Sequence, residues 1–246
     1  MKRGLLFLYL AIVVTGIVSG VRQTYADAVP PPENISSEII KLSDDLYQVG
    51  NVKIYKNKRF ISIPGSINMS DGLIEYLACG PRGKLHESVL VLDVEPYHIH
   101  VALLLLGLVP GDRPISSQGA PEPPCGDPVK IKISWKGTDN KIVEYAPEDL
   151  IINMDDKKNM EKSDWVFTGS RIINGHYMAQ ILGSIVAVFH DPDAIIDDRS
   201  ISGADDTHFF ANKEILPPFG TPVELKIFGE NDPAVKKRVS CENAGR

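Results

Sequence analysis

Residues 109–128 are the segment that most restricts what this chain can form. Six prolines and three glycines fall within those 20 residues. Proline removes a backbone donor and fixes φ, so neither a helix nor a central strand runs through such a stretch. Loops of this length inside a compact domain are usually functional or mobile. The segment therefore divides the chain into two ordered blocks joined by a long irregular connection.

The first block carries strand signals. Residues 52–55 alternate, residues 56–58 read as a turn, and residues 59–63 alternate again, which predicts a hairpin. Residues 73–79 and 88–94 predict two further strands. The run Val89-Leu90-Val91-Leu92 is continuous, as in a strand buried on both faces. Pro96 then opens a helix over about residues 96–108, with Gly107 near its end. Residues 101–106 are apolar on every side, so the helix is expected to be central and buried. In the second block, residues 129–135 and 141–145 predict another hairpin, and residues 165–168, 185–189 and 223–228 predict later strands. A short helix is expected near residues 177–182. The expected fold class is α+β: nine or ten strands in a mostly antiparallel or mixed β-sheet, one buried helix at about 96–108, and the Pro-rich loop at 109–128.

Lys2 and Arg3 precede an uncharged apolar stretch over residues 4–21, and small residues follow at Ala26 and Ala28. A charged start, an apolar middle and a small-residue cleavage point form a secretory signal. The expected organisation is a signal peptide at 1–26, a Pro-rich linker at 27–38, a domain at 39–230 and a polar tail at 231–246. The expected location is periplasmic or secreted. The alternative is anchoring in the inner membrane by residues 4–21, the only membrane contact expected. The whole chain has a formal charge of −6, and it becomes more acidic once the leader's three cations are set aside. That excludes a nucleic-acid partner, which needs a basic footprint.

Several chemistries lack their motifs. There is no phosphate loop, no dinucleotide glycine fingerprint, no nucleophile elbow and no paired-cysteine metal motif. No iron–sulfur cluster, nucleotide or flavin is therefore expected, and the cofactor stays unknown. Three cysteines are too few for a disulfide scaffold. Cys79 at a strand end and Cys125 in the Pro-rich loop form the candidate disulfide.

The densest polar cluster beside a core strand is Lys84-Leu85-His86-Glu87-Ser88. His86, Glu87 and Lys84 are the candidate catalytic residues, with turn stabilisation as the structural alternative. His98 and His100 could share a metal with His86 if they lay on a strand. On a helix they point about 200° apart. Asp191, Asp193 and Asp197 could bind calcium through oxygen ligands, although Ile195 occupies the third ligand position of the familiar twelve-residue loop. Trp135 and Trp165 read as core.

Gly83-Lys84-Leu85-His86-Glu87-Ser88-Val89-Leu90 with Pro96, then Ala102-Leu103-Leu104-Leu105-Leu106-Gly107, resembles the YdjY-domain family of exported bacterial proteins. So do Trp165-Val166-Phe167-Thr168-Gly169-Ser170, Gly183-Ser184 and Asp191-Pro192-Asp193-Ala194-Ile195-Ile196-Asp197. The resemblance spans roughly residues 46–228 and implies export. Some members carry a cysteine-rich, ferredoxin-like segment that this chain lacks, so an iron–sulfur role does not transfer. The expected function is an exported binding or accessory protein of the cell envelope, with an envelope protein or small ligand as partner. The alternative is a metal-dependent enzyme around His86 and Glu87.

Overall fold

The structure is a computed structural model and describes residues 38–229. The leader and the polar tail lie outside the described residues, as does the linker except for Glu38. The elements in chain order are β1 (Ile39–Lys41), β2 (Leu46–Val49), β3 (Val52–Tyr55), β4 (Phe60–Ile67), β5 (Tyr76–Cys79), β6 (Ser88–Leu92) and α1 (Pro96–Leu105). After the Pro-rich loop come β7 (Asp127–Lys136), β8 (Ile142–Tyr145), β9 (Ile151–Asn153), β10 (Lys158–Asn159), β11 (Trp165–Phe167), β12 (Ile172–Ile173) and β13 (His176–Tyr177). The last elements are α2 (Met178–Leu182), β14 (Ser184–Ala187), β15 (Ile196–Asp198), β16 (Phe209–Ala211) and β17 (Pro222–Gly229).

Eight strands close on themselves in the order β4–β17–β7–β11–β15–β14–β5–β6, and β6 returns to β4. Most of these pairs are antiparallel; β5–β6 and β14–β15 are parallel. The α+β expectation is thus corrected: the protein is mostly β, a barrel with two short helices. The physical reason is closure. The long strand β4 pairs with β3 over its first half and with β6 over its second half, which joins the two ends of the sheet. Pro64 sits at the changeover, between the residues that pair with β3 and those that pair with β6. At Gly65 a side chain would meet Val91 O at 2.6 Å, so only glycine lets β4 approach β6 this closely.

The core follows from the two-residue period of strands. Val129, Ile131, Ile133 and Trp135 of β7 point inward, opposite Val223, Leu225 and Ile227 of β17. They join Ile61 and Ile63 of β4, Leu90 and Leu92 of β6, and Trp165 and Phe167 of β11 in one apolar cluster. The hairpins at residues 52–63 and 129–145 form as the alternation predicts.

Helix α1 forms where the sequence places it and ends at Leu105, with Gly107 at φ +83° just beyond. It is not central. Pro96, His98, Ile99, Ala102 and Leu103 are buried against the β2–β3 hairpin and α2, whereas Tyr97, Leu104 and Leu105 are exposed. The uniformly apolar run hid an ordinary two-sided helix lying against the barrel. Among the described residues, no helix is long and apolar enough to cross a membrane.

Among the described residues seventeen strands replace the nine or ten expected. The missed ones, such as β1, β2, β9, β10, β12 and β15, are two to four residues long, too short to show a period. Residues 109–126 remain irregular apart from one bridge between Pro110 and Gly126. The loop bonds back onto the segment after β14: Gly119 N–H donates to His190 O, and His190 Nδ1 lies 2.8 Å from Ala120 O.

Candidate functional site

The two sequence blocks that carry the family resemblance meet in space around Tyr76 on β5. The Tyr76 hydroxyl donates to Asp191 Oδ2 at 2.7 Å. On the other side, Lys84 Nζ lies 5.4 Å from the Tyr76 ring centroid. Lys84 leaves the turn before β6 and reaches Glu75 Oε2 at 2.7 Å and Glu87 Oε1 at 2.9 Å. Gln118 of the Pro-rich loop donates to the same Glu75 oxygen at 2.9 Å, which ties the loop to the cluster.

Burial alone would favour the neutral amine of Lys84. Hydrogen bonds to Glu75 and Glu87 outweigh it, and the pKa rises. Burial, reinforced by the Asp191 carboxylate, holds the Tyr76 hydroxyl far above its ordinary range. Burial pushes the Cys79 thiol up to about 12, so it is an inert core residue.

The aspartate block is almost wholly buried. Asp191 and Asp193 are 5% exposed, and Asp197 and Asp198 are fully inaccessible. Each is held differently. Arg171 grips Asp193 through two parallel bonds, Nε to Oδ1 at 2.8 Å and Nη2 to Oδ2 at 2.9 Å. Asp198 accepts from the hydroxyls of Ser163 and Ser200 and from Ser200 N–H. Asp191 N–H donates to Asp197 Oδ2 at 2.9 Å, and Asp193 N–H donates to Asp191 Oδ1 at 2.8 Å. Burial raises the pKa of Asp191, and raises that of Asp197 more strongly. Asp197 Oδ1 is buried and has no hydrogen-bond partner among the described residues. Asp191 and Asp197 line a cavity of about 30 Å³ together with Thr168, Ser170, Arg113 and the loop residues Gly111 and Cys125.

The other sequence candidates do not converge. The His86 side chain is 79% exposed, with Glu87 beside it at 3.6 Å from Nε2 to Oε2. His98 is buried on α1 against Gly50. His100, two residues on, faces Tyr177, whose hydroxyl is 3.1 Å from Nδ1, and packs edge-on against Phe167. Among the described residues, no three or more histidine, cysteine, aspartate or glutamate side chains gather to hold a metal. The Cys79–Cys125 disulfide does not form: Cys79 is a free, buried thiol, and Cys125 is disulfide-bonded without it. Cys79 lies in the barrel wall on β5 and packs with Tyr76, Ala187 and Ala194. Sequence reasoning missed Glu75, Tyr76, Gln118, Thr168, Ser170 and Arg171. Each sits far along the chain from its partner, and no local spacing marks it.

A second concavity lies where the barrel wall is interrupted. Strand β7 pairs with β11 through Val129 and with β8 from Ile133 onward. Between them, residues 130–132 have no strand partner on that side among the described residues. A groove of about 450 Å³ runs beside this gap, walled by Pro128, Ile131, Pro147 and Trp165 and rimmed by Lys130 and Lys162. Its floor is fixed, because Trp165 Nε1 donates to the buried Glu148 Oε1 at 2.9 Å.

A closed eight-stranded barrel whose proline-rich loop packs over a buried carboxylate cluster defines the structural class. Residues 52–228 match the model of the YdjY domain, and the chain belongs to that family. No curated protein and no solved structure matches the chain.

Proposed function

We propose that the protein is an exported accessory module of the bacterial cell envelope, working in the periplasm or outside the cell. It binds an extended peptide segment of a partner protein along the groove beside Trp165. The carrying observation is the interrupted wall. An unpartnered stretch of β7 offers main-chain groups to an added strand, and the adjoining groove has the size of an ordinary ligand site. Lys130, Lys162 and Asp164 give the groove charges of both signs, suited to a segment that carries both acidic and basic side chains. The apolar leader over residues 4–21 supports export. Lys84, between two glutamates, and Asp193, in the Arg171 fork, are consumed in holding the fold.

Photo-crosslinking in cells tests this reading. A photoreactive residue replaces Lys162 in one full-length variant and Asn57, in the β3–β4 turn, in another. The expected result is adducts with one envelope protein from position 162 and none from position 57. Equal adducts at both positions, or a cytosolic chain retaining Met1, would overturn it.

A further inference from the structure

The small cavity between the Pro-rich loop and the barrel is lined by oxygens that can still accept but whose own protons are already committed. Asp197 is fully buried and lines the space. Its Oδ2 takes the Asp191 N–H, and its Oδ1 has no partner among the described residues. Asp191 accepts from Tyr76 on one oxygen and from Asp193 N–H on the other, and the Ser184 hydroxyl also bonds to it. The Thr168 hydroxyl proton is directed at the carbonyls of Ala194 and Ile195, 2.9 Å away. The Ser170 hydroxyl donates to Asp193 O at 2.7 Å and accepts Ala179 N–H at 2.9 Å, so one lone pair of its oxygen remains. What these groups turn toward the cavity is therefore lone pairs. Two carboxylates share the space, and the neighbouring Arg171 fork is taken by Asp193. Arg113 also borders the cavity.

We infer that this cavity is a binding site for one calcium ion, held by Asp197 Oδ1, the Asp191 carboxylate and the hydroxyl oxygens of Thr168 and Ser170. The all-oxygen donor set suits a hard cation and disfavours zinc or copper. A divalent charge balances the two carboxylates. The named side chains supply at most about five oxygens, and a space of about 30 Å³ leaves room for only the one or two waters that would bring calcium to its usual six or more ligands. Magnesium keeps several waters and demands octahedral geometry, whereas calcium sheds water and accepts irregular coordination. With Asp193 in its ion pair, only two carboxylates contribute, so the affinity belongs to the weak, extracellular end of the calcium range. The site lies apart from the groove beside Trp165, and its occupancy does not depend on the peptide-binding reading.

The test uses the purified chain in calcium-free buffer. Tb³⁺ serves as a luminescent stand-in for Ca²⁺, with Tyr76, bonded to Asp191, as the sensitiser. The expected result is Tb³⁺ emission on excitation near 280 nm that Ca²⁺ displaces. With Ca²⁺ at a hundred-fold excess over Kd, Tm should rise by about 5 °C. Both signals should be lost in Asp197→Asn. Should Asp197→Asn lack the native circular dichroism spectrum, Thr168→Val is expected to weaken Tb³⁺ binding about ten-fold with the fold intact. Absence of both signals in the wild-type chain, their retention in the variants, or an equal Tm rise with Mg²⁺ would overturn the assignment.

Discussion

Gly126→Ala is expected to be among the most damaging single substitutions in the Pro-rich loop. Gly126 joins that loop to β7 at φ +150°, and an added Cβ would lie 2.0 Å from Phe167 O and 2.6 Å from Phe167 C. Ordinary contact begins near 3.4 Å, so one of two barrel backbones must retreat by about 1.4 Å, against steep repulsion in a close-packed interior. Overpacking of this kind costs about 1–3 kcal/mol. The unfavourable φ adds about 1–3 kcal/mol. A total near 4 kcal/mol in a domain of this size lowers Tm by about 10 °C. Gly175→Ala separates the two contributions. Gly175 has φ +82° with nothing within 4 Å of the added Cβ, so only the backbone penalty applies, about 1 kcal/mol or roughly 3 °C. Thermal melts followed by near-ultraviolet circular dichroism measure both. If Gly126→Ala melts within about 3 °C of Gly175→Ala, the argument that the loop is locked against β11 is refuted.

Two further outcomes follow from the buried charges. Arg171→Met leaves the Asp193 carboxylate, 7% exposed at the side chain, without its counter-ion, and should cost about 2–4 kcal/mol in urea unfolding. The double variant with Asp193→Asn should recover most of that loss, and an uncorrected double variant would contradict the reading. Burial holds the His100 imidazole below its ordinary pKa, outweighing the opposing hydrogen bond with Gly169. The unfolded chain therefore takes up this proton first. The stability from keeping His100 neutral is complete above the unfolded value near 6.5 and is lost as pH falls from there through the folded value. The drop in Tm between pH 7.5 and pH 5 should be smaller in His100→Gln than in the wild type; identical slopes would contradict this.

The long strands were legible because one barrel face is apolar along each of them: β7 and β17 alternate over eight residues or more. Strand β15 was not legible. Ile196-Asp197-Asp198 has the composition of a turn, yet it is fully buried in the wall. Ser163 and Ser200 satisfy Asp198, and Asp191 N–H satisfies one of the two oxygens of Asp197; those partners lie 2 to 35 residues away along the chain. Helix α1 was legible in position but not in environment, since a uniform apolar run carries no phase to say which side faces water. For the candidate site, Lys84, Glu87, Asp191 and Asp197 stood out as clustered polar residues. Tyr76, which joins them, looked like one more strand residue, and only the pairing of β5 with β6 and β14 brings the two clusters to it.

The pairing of β4 with β17 has a consequence for how the chain matures. Phe60–Ile67 finds its neighbour at Pro222–Gly229, near the other end of the described chain. The cylinder cannot shut along that line before residues 222–229 have been made. Contacts so distant in sequence make folding slow, so this seam, rather than any local turn, sets when the barrel gains its final form.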